Sequence, residues 1–389
     1  MVKLTYKQIA DFLNMSTREV IGEEATTVLE DLSNIVDFGT GVQGLGKTIP
    51  LLDDFVGRIT RVIFYERTYG INTDLGIWKD NVEYGLCVQR MSIDELPEAE
   101  DNPTWQITDG QSVDPFVVKL PHAKARYFEK RNTAEIDMTI LRRQYNAAFT
   151  SPTEMATFVG MIFNSVENSR SLKINNLQKA ILRAAMSATL KKKYPDADYT
   201  THSEITAVNL LKLYNDEVNP STPLTKEKAR FDKEFLRFAS MVMNDYVRAV
   251  KEMSVLYNIE EAPRFTPDPK LVVLGKFADA CQYYLESDTY HNTLVSLPGY
   301  STMDSWQATP SRDFDELSKI NVKNDDGVTV ELSGIVACLY DSDGLAVTVN
   351  DPRVLSQPNN RGEYDNYFWK YDWASCCFKD MNFVVFFIA

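Results

Sequence analysis

The clearest periodicity in the chain begins at Met155. Met155, Phe158-Val159, Ile162-Phe163 and Val166 recur at helical spacing and make one apolar stripe. Ser151 and Glu154 form a capping box ahead of it, and Pro152 occupies the first helical position. The pattern predicts a long helix over about 152–170. A second helix is predicted over 172–194, with its lysines gathered at the C-terminal end, where the helix dipole favours them. Two more helices are predicted over 204–215 and 226–258, the second long, its methionines and aromatics read as core. KFADACQYYLES (276–287) reads as a short helix.

Alternation and β-branching mark the strands. RITRVIFYERTY (58–69) reads as one, KLVVLG (270–275) as another. AKARYFEKRN and the residues after it return as strand, then as a partly helical lead-in to the capped helix. IVACLY and LAVTVN flank Asp341-Ser342-Asp343-Gly344 and are read as a hairpin. YDNYFWKYDWASC and NFVVFFIA close the chain as two strands. Between Gly70 and about Ala125 runs a long polar excursion with strand-like pieces (GLCVQRM, TWQI, FVVKL) and an acidic tip, IDELPEAED. Excursions this long inside compact proteins are uncommon without a function, and a lone hairpin is marginally stable. Something must lie beneath it: this chain, or another copy. Residues 1–57 mix short helices with glycine-rich coil and show no core of their own. The fold class is α+β.

Composition narrows the function. The 389 residues carry a net charge of −14, which opposes DNA and anionic lipid at long range. The aromatic share of 11% favours deep packing or interfaces. Cys87, Cys281, Cys338, Cys376 and Cys377 contain no C-x-x-C, and Cys376 and Cys377 point to opposite faces of a strand, so reduced thiols in a cytosolic setting are expected. His122, His202 and His291 have no metal-ligand spacing to a cysteine pair. No metal, cofactor or catalytic residue is assigned. The longest apolar run, FVVFFIA, is too short to span a bilayer, and no secretion signal opens the chain.

Two motifs compete with that reading. Gly41 to Thr48 spell G-x-x-x-x-G-K-T, the loop that wraps nucleotide phosphates. Such a loop needs a buried strand before it and a helix after it. Here an acidic, helical stretch followed by coil precedes it, Asp53 and Asp54 follow it, and Asp341, the best second acid for magnesium, lies nearly the whole chain away. A flexible glycine-rich arm is the plainer reading. Lys7 to Ile21 resembles a helix-turn-helix with a recognition helix from near Ser16, but Glu19, Glu23, Glu24, Glu30 and Asp31 would oppose docking on phosphate. An amphipathic helical pair fits those residues better. DSDG at 341–344 lacks the other positions of a calcium loop.

Four stretches, in order, carry a resemblance to a known family. They are LLDDFVGRITRVIF (51–64), the run from Ala125 to Ser169, GIVACLYDSDGLAVTVNDPRV (334–354) and NNRGEYDNYFWKYDWASCCFKDMNFVVF (359–386). The last is the most specific: Arg361-Gly362-x-Tyr364-x-x-Tyr367 opens an aromatic strand just before an apolar terminal strand. Together they resemble the major capsid proteins of tailed bacteriophages, the Hong Kong 97 fold, and above all those of small short-tailed phages (podoviruses) of the phi-29 type.

The resemblance implies a structural, self-assembling protein and no enzyme. It implies an N-terminal arm (1–57) and a peripheral domain (58–69 and 126–193) with a spine helix at about 152–170. It further implies an E-loop (70–125) lying across the neighbouring subunit, an axial domain (194–360), and closing strands of the peripheral domain (361–389). Partners would be copies of itself in pentamers and hexamers, a scaffolding protein, a portal, and packaged double-stranded DNA touched weakly and without sequence specificity, with no membrane. The place would be the virion capsid, after synthesis in the bacterial cytoplasm. The phi-29 type carries an added immunoglobulin-like domain, which this sequence, stopping at Ala389, is expected to lack. An encapsulin-type nanocompartment shell is the alternative on the same fold, and a P-loop nucleotide-binding protein the remote one from another class.

Overall fold

A computed structural model describes residues 5–22, 29, 32–45, 48–61, 73–79, 88–93, 108–112, 114, 116, 118, 123–128, 132–286, 299–307, 311–323 and 327–389. The chain opens with helices α1 (Tyr6–Val20), α2 (Ile35–Gly44) and α3 (Thr48–Arg61). Strands β1 (Val88–Ile93), β2 (Ala123–Phe128) and β3 (Asn132–Leu141) follow, then α4 (Arg142–Ala148) and α5 (Pro152–Lys193). The middle region holds β4 (Ala207–Asn209), α6 (Leu210–Glu217), α7 (Lys226–Ala229), α8 (Lys233–Ala249), β5 (Pro269–Leu274), α9 (Gly275–Glu286) and β6 (Tyr300–Met303). The rest comprises α10 (Phe314–Leu317), β7 (Ile320–Lys323), β8 (Thr329–Leu332), β9 (Ile335–Asp341), β10 (Leu345–Asn359), β11 (Tyr364–Cys377) and β12 (Phe383–Phe387).

Two cores organise these elements, and α5 joins them. At 1.5 Å per residue its 42 residues span about 63 Å. Its first half places Met155, Phe158, Val159, Ile162, Phe163 and Val166 in a core shared with α1 to α4 and with Tyr367 and Trp369 of β11. Its second half places Ile181, Leu182, Ala185, Met186 and Leu190 in a larger core around a five-stranded sheet. The start is capped as the sequence predicts, Ser151 Oγ accepting from Glu154 N at 3.2 Å. The predicted break between two helices near residue 171 is absent. No glycine or proline interrupts 161–193, so nothing ends the hydrogen-bond ladder while the buried face changes partners.

The five-stranded sheet runs β4-β12-β9-β5-β6, and a three-stranded antiparallel sheet runs β10-β11-β3. This arrangement corrects one strand expectation. β9 and β10 flank Asp341–Gly344, where Asp341 accepts the Asp343 N–H at 2.8 Å, but they belong to different sheets. The turn is there; it hands the chain from one sheet to the other instead of closing a hairpin. The other closing strand, β12, pairs antiparallel with β9 and parallel with β4.

Three further element expectations change. Arg58–Arg61 end α3 and are not strand; residues 62–70 of that predicted strand lie outside the described residues. Ala207–Asn209 form β4 inside a helical pattern, because pairing with β12 overrides local preference. The predicted helix at 226–258 is split, since Asp232 accepts Phe235 N at 2.8 Å and starts α8 afresh. Its apolar residues divide accordingly: Phe235, Phe238 and Met243 are buried, whereas Met241, Met253 and Leu256 are exposed.

Helices α1, α2 and α3 pack into a shared core, and Gly39, Gly41 and Gly44 lie within α2 and not in coil. α1 is one uninterrupted helix, which replaces the predicted helical pair. Thr5 and Gln8 cap it reciprocally, at 3.3 and 3.0 Å. Arg58 ties α3 to it, donating to Ser16 at 3.1 Å and Asp54 at 2.8 Å and pairing with Glu19. Tyr367 donates to Asp53 at 2.8 Å and fixes α3 to β11.

Burial of acidic side chains gives an alkaline limit to stability. Burial pushes the Tyr194, Tyr246 and Tyr371 hydroxyls from 10.0 up to about 12, and the Cys281 thiol from 9.0 up to about 12. The unfolded chain releases these protons near pH 9 to 10 and the folded chain only near 12. The stabilisation is therefore complete below the unfolded values and is lost as pH rises through the folded ones. Thermal unfolding followed at pH 8 and pH 11 is expected to show a clear drop in midpoint; an unchanged midpoint would contradict the burial of these groups.

Candidate assembly surfaces

None of the chemical motifs acquires the surroundings its chemistry needs. Gly41–Gly44 form the last turn of α2, Leu45 caps it, and Thr48 opens α3; residues 46 and 47 lie outside the described residues. A helix, not the strand such a loop needs, delivers the motif. Asp341 is occupied by the Asp343 N–H and by Thr266 Oγ1 at 3.1 Å. His202 stacks near Tyr194 at 4.8 Å and lies 3.5 Å from Glu204, while His122 and His291 lie outside the described residues. Among the described residues no three His, Cys, Asp or Glu side chains are grouped to hold a metal, and no helix is long and apolar enough to cross a membrane. Cys281, Cys338 and Cys376 are buried free thiols.

The surfaces that stand out are those a neighbour would cover. The excursion begins with a segment docked on its own chain. Leu75 and Ile77 are buried in the larger core, Tyr340 donates to the Leu75 carbonyl at 2.8 Å, and Val347 N donates to Ile77 O at 2.9 Å. Lys79 N returns a bond to Val347 O at 3.1 Å, adding residues 77–79 beside the start of β10. The sequence signal for this foothold was short, a Leu-x-Ile alternation inside a polar stretch, and sequence reading missed it. Further on, β1 and β2 pair antiparallel from Val88↔Phe128 to Ile93↔Ala123. Among the described residues they pair with each other and with no third strand. Two six-residue strands, about 20 Å long, thus form a sheet of two among the described residues.

A second uncovered surface lies beyond α8. Ser254 and Arg264 exchange two backbone hydrogen bonds at 3.0 Å, and around this bridge Met253, Val255, Leu256 and Phe265 are exposed. Four large apolar side chains on one excursion exceed the scattered singles of an ordinary monomer surface. A third feature is the long hairpin of β10 and β11. Its alternating face buries Tyr367, Trp369 and Tyr371, and its tip at 360–363 is exposed.

A two-stranded excursion that joins no further strand among the described residues, and an aromatic closing strand, are features of a subunit completed by copies of itself. The family model of the Phi29-like phage major capsid protein matches residues 13–387. This chain belongs to that family. It is a capsid shell protein, and the lattice of the virion capsid is its place. No curated protein matches the chain. Among solved structures it is similar to the capsid of Staphylococcus phage Andhra, with 10% identity, TM-score 0.46, and 83% of this chain and 84% of that chain covered. It is similar to a chain from a structure of the head fiber and inner core protein gp22 of native bacteriophage P68, with 12% identity, TM-score 0.46 and coverage of 80% and 83%. It is also similar to a chain of Microbacterium phage Oxtober96, with 11% identity, TM-score 0.43 and coverage of 83% and 92%.

Proposed function

We propose that this capsid protein assembles through pentamers and hexamers into an icosahedral head around double-stranded DNA and performs no catalysis. It is made in the bacterial cytoplasm and builds its shell with a scaffolding protein and a portal. In the Hong Kong 97 scheme, α5 is the spine helix and the segment around β1 and β2 is the E-loop. The three-stranded sheet belongs to the peripheral domain, and the region from about 194 onward belongs to the axial domain. The observation that carries this reading is the β1–β2 pair, which joins no further strand among the described residues, while residues 75–79 of the same excursion are docked on their own chain. Family membership supports it independently.

Negative-stain microscopy of the purified full chain tests the reading. Closed round particles or ring-like capsomers are expected; strictly monomeric protein at high concentration, with and without a scaffold, would sink it. Lys47→Ala is expected to form particles in native yield, and the native chain to show no saturable ATP binding by calorimetry. Saturable binding that the variant loses would revive the phosphate-loop reading.

A further inference from the structure

The first half of α5 buries one face in the smaller core and leaves the other without charge. Between Thr157 and Leu172 the exposed residues are Thr157, Met161, Ser165, Asn168, Ser169 and Leu172. None is charged, although a quarter of the chain is. The two charges within that span do not join this face: Arg170 is buried and Glu167 is half-buried. Met161 and Leu172, the large apolar members, are 43% and 64% exposed. A helix face turned to water normally carries charge, and depletion of charge marks the centre of an interface.

A groove of about 480 Å³ runs beside this face, between α1 and α5, with Tyr6, Thr157, Gly160, Met161 and Asn164 in its lining. Glycine weakens a helix interior relative to alanine. Yet among the described residues nothing lies within 4 Å of where a Cβ at Gly160 would stand, so their packing does not call for glycine there. The open space suits a second helix, whose axis comes nearer where side chains are small. The spacing suits one too. Thr157, Met161, Asn164, Asn168, Ser171 and Asn175 alternate by four and three residues and stay within about 80° of arc, a seam about 27 Å long.

We infer that two copies of the chain pair through this seam, α5 against α5, antiparallel about a two-fold axis near Val166. The inference rests on the reading of this protein as a self-assembling shell subunit, and it specifies one contact of that shell. What identifies the occupant as a second copy is that one register satisfies three kinds of side chain at once. It sets Met161 against the partner's Leu172, apolar on apolar. It sets Asn164 opposite the partner's Asn168, and an amide both donates to and accepts from another amide. At each end it brings the exposed Glu154 to the partner's Lys179, which lies on the same flank of the seam. Such self-complementarity is what a two-fold contact requires. The direction follows from charge. Between residues 168 and 195 there are seven Lys and Arg and no Asp or Glu. A parallel pair would lay these basic halves side by side, whereas the antiparallel pair sends them to opposite ends.

Two full-length variants, Met161→Cys and Leu172→Cys, are assembled separately and as a mixture, oxidised mildly, and mapped by peptide mass. A disulfide joining positions 161 and 172 of different subunits is expected from the mixture, and no 161–161 or 172–172 disulfide from either variant alone. Like-with-like disulfides would show a parallel contact and overturn the proposal. Intact particles in which the introduced thiol at position 161 resists alkylation yet joins no partner would assign the face to another occupant and overturn it as well. Gly160→Leu provides a second test. Because the space before it is open, the urea midpoint of the unassembled subunit is not expected to fall, whereas the concentration needed for assembly should rise about tenfold or more. Assembly at the native concentration would overturn the contact. Native particles without the mixed disulfide would leave the shell reading intact; a native chain that forms no particles would overturn both.

Discussion

Gly334→Ala is expected to destabilise the subunit by about 4 kcal/mol, the sum of a backbone strain and a collision that cannot relax. Gly334 lies between β8 and β9 with φ +101°, a region in which L side chains are strained. An added Cβ would sit on the Ile388 carbonyl oxygen. That oxygen is not free to withdraw. Ile388 N donates to Gly334 O at 2.8 Å, Gly334 N donates to Ser318 Oγ at 2.9 Å, and β12 just before Ile388 is held in the five-stranded sheet. The substitution therefore pushes the C-terminal strand away from the only register that buries Val384 to Phe387. Gly327→Ala is the control: φ is +79° there but none of the described residues lies within 4 Å of the new Cβ, so the strain alone should cost about 1 kcal/mol. Urea unfolding of unassembled subunits gives both values from the midpoints. Equal losses at the two sites would show that the contact with Ile388 contributes nothing.

The features legible in the sequence are those whose cause is local. The cap at Ser151, the stripe from Met155 to Val166, the aromatic alternation of β11 and the apolar β12 all announce themselves within a few residues. What escaped depends on distant partners. α5 continues past residue 171 although its stripe fades there, because the helix leaves one core and enters another, and the crossing is made with buried polar residues, Arg170 and Gln178. β4 is a strand only because β12 lies beside it. The Asp341–Gly344 turn has hairpin chemistry, and nothing near it tells the chain that β10 will pair with β11 and not with β9. The same division holds for the assembly surfaces. The length and acidity of the excursion are visible by inspection, and so is the resemblance of four ordered stretches to a capsid family. The foothold of Leu75 and Ile77 and the exposed group around Met253 required the fold, since an apolar residue in sequence carries no mark of whether a copy or its own core will cover it.

Arg142→Ala is expected to cost about 3 kcal/mol, because it strands a buried carboxylate without its counter-charge. Asp365 of β11 is 1% exposed, and Arg142 holds it through Nη2 at 3.0 Å and Nε at 3.3 Å. The hydrogen bond that Arg142 donates to Asp365 raises the guanidinium above its ordinary value. Arg142 does more than neutralise. Nη2 also reaches Asn360 at 2.9 Å and its backbone N–H donates to Glu363 O at 3.0 Å, so one residue at the start of α4 binds both sides of the β10–β11 tip. The neighbouring pair, Tyr364↔Leu141, ends the ladder between β11 and β3. Losing Arg142 should therefore loosen the tip as well as lower global stability. Hydrogen exchange would show it as faster exchange at 360–366 than the global loss accounts for. Asp365→Leu combined with Arg142→Leu removes both charges and should recover most of the lost stability, since an apolar pair of similar volume leaves no group unpaired. If the double variant unfolds as readily as Arg142→Ala, the cost lies in the lost tip contacts and not in the buried charge.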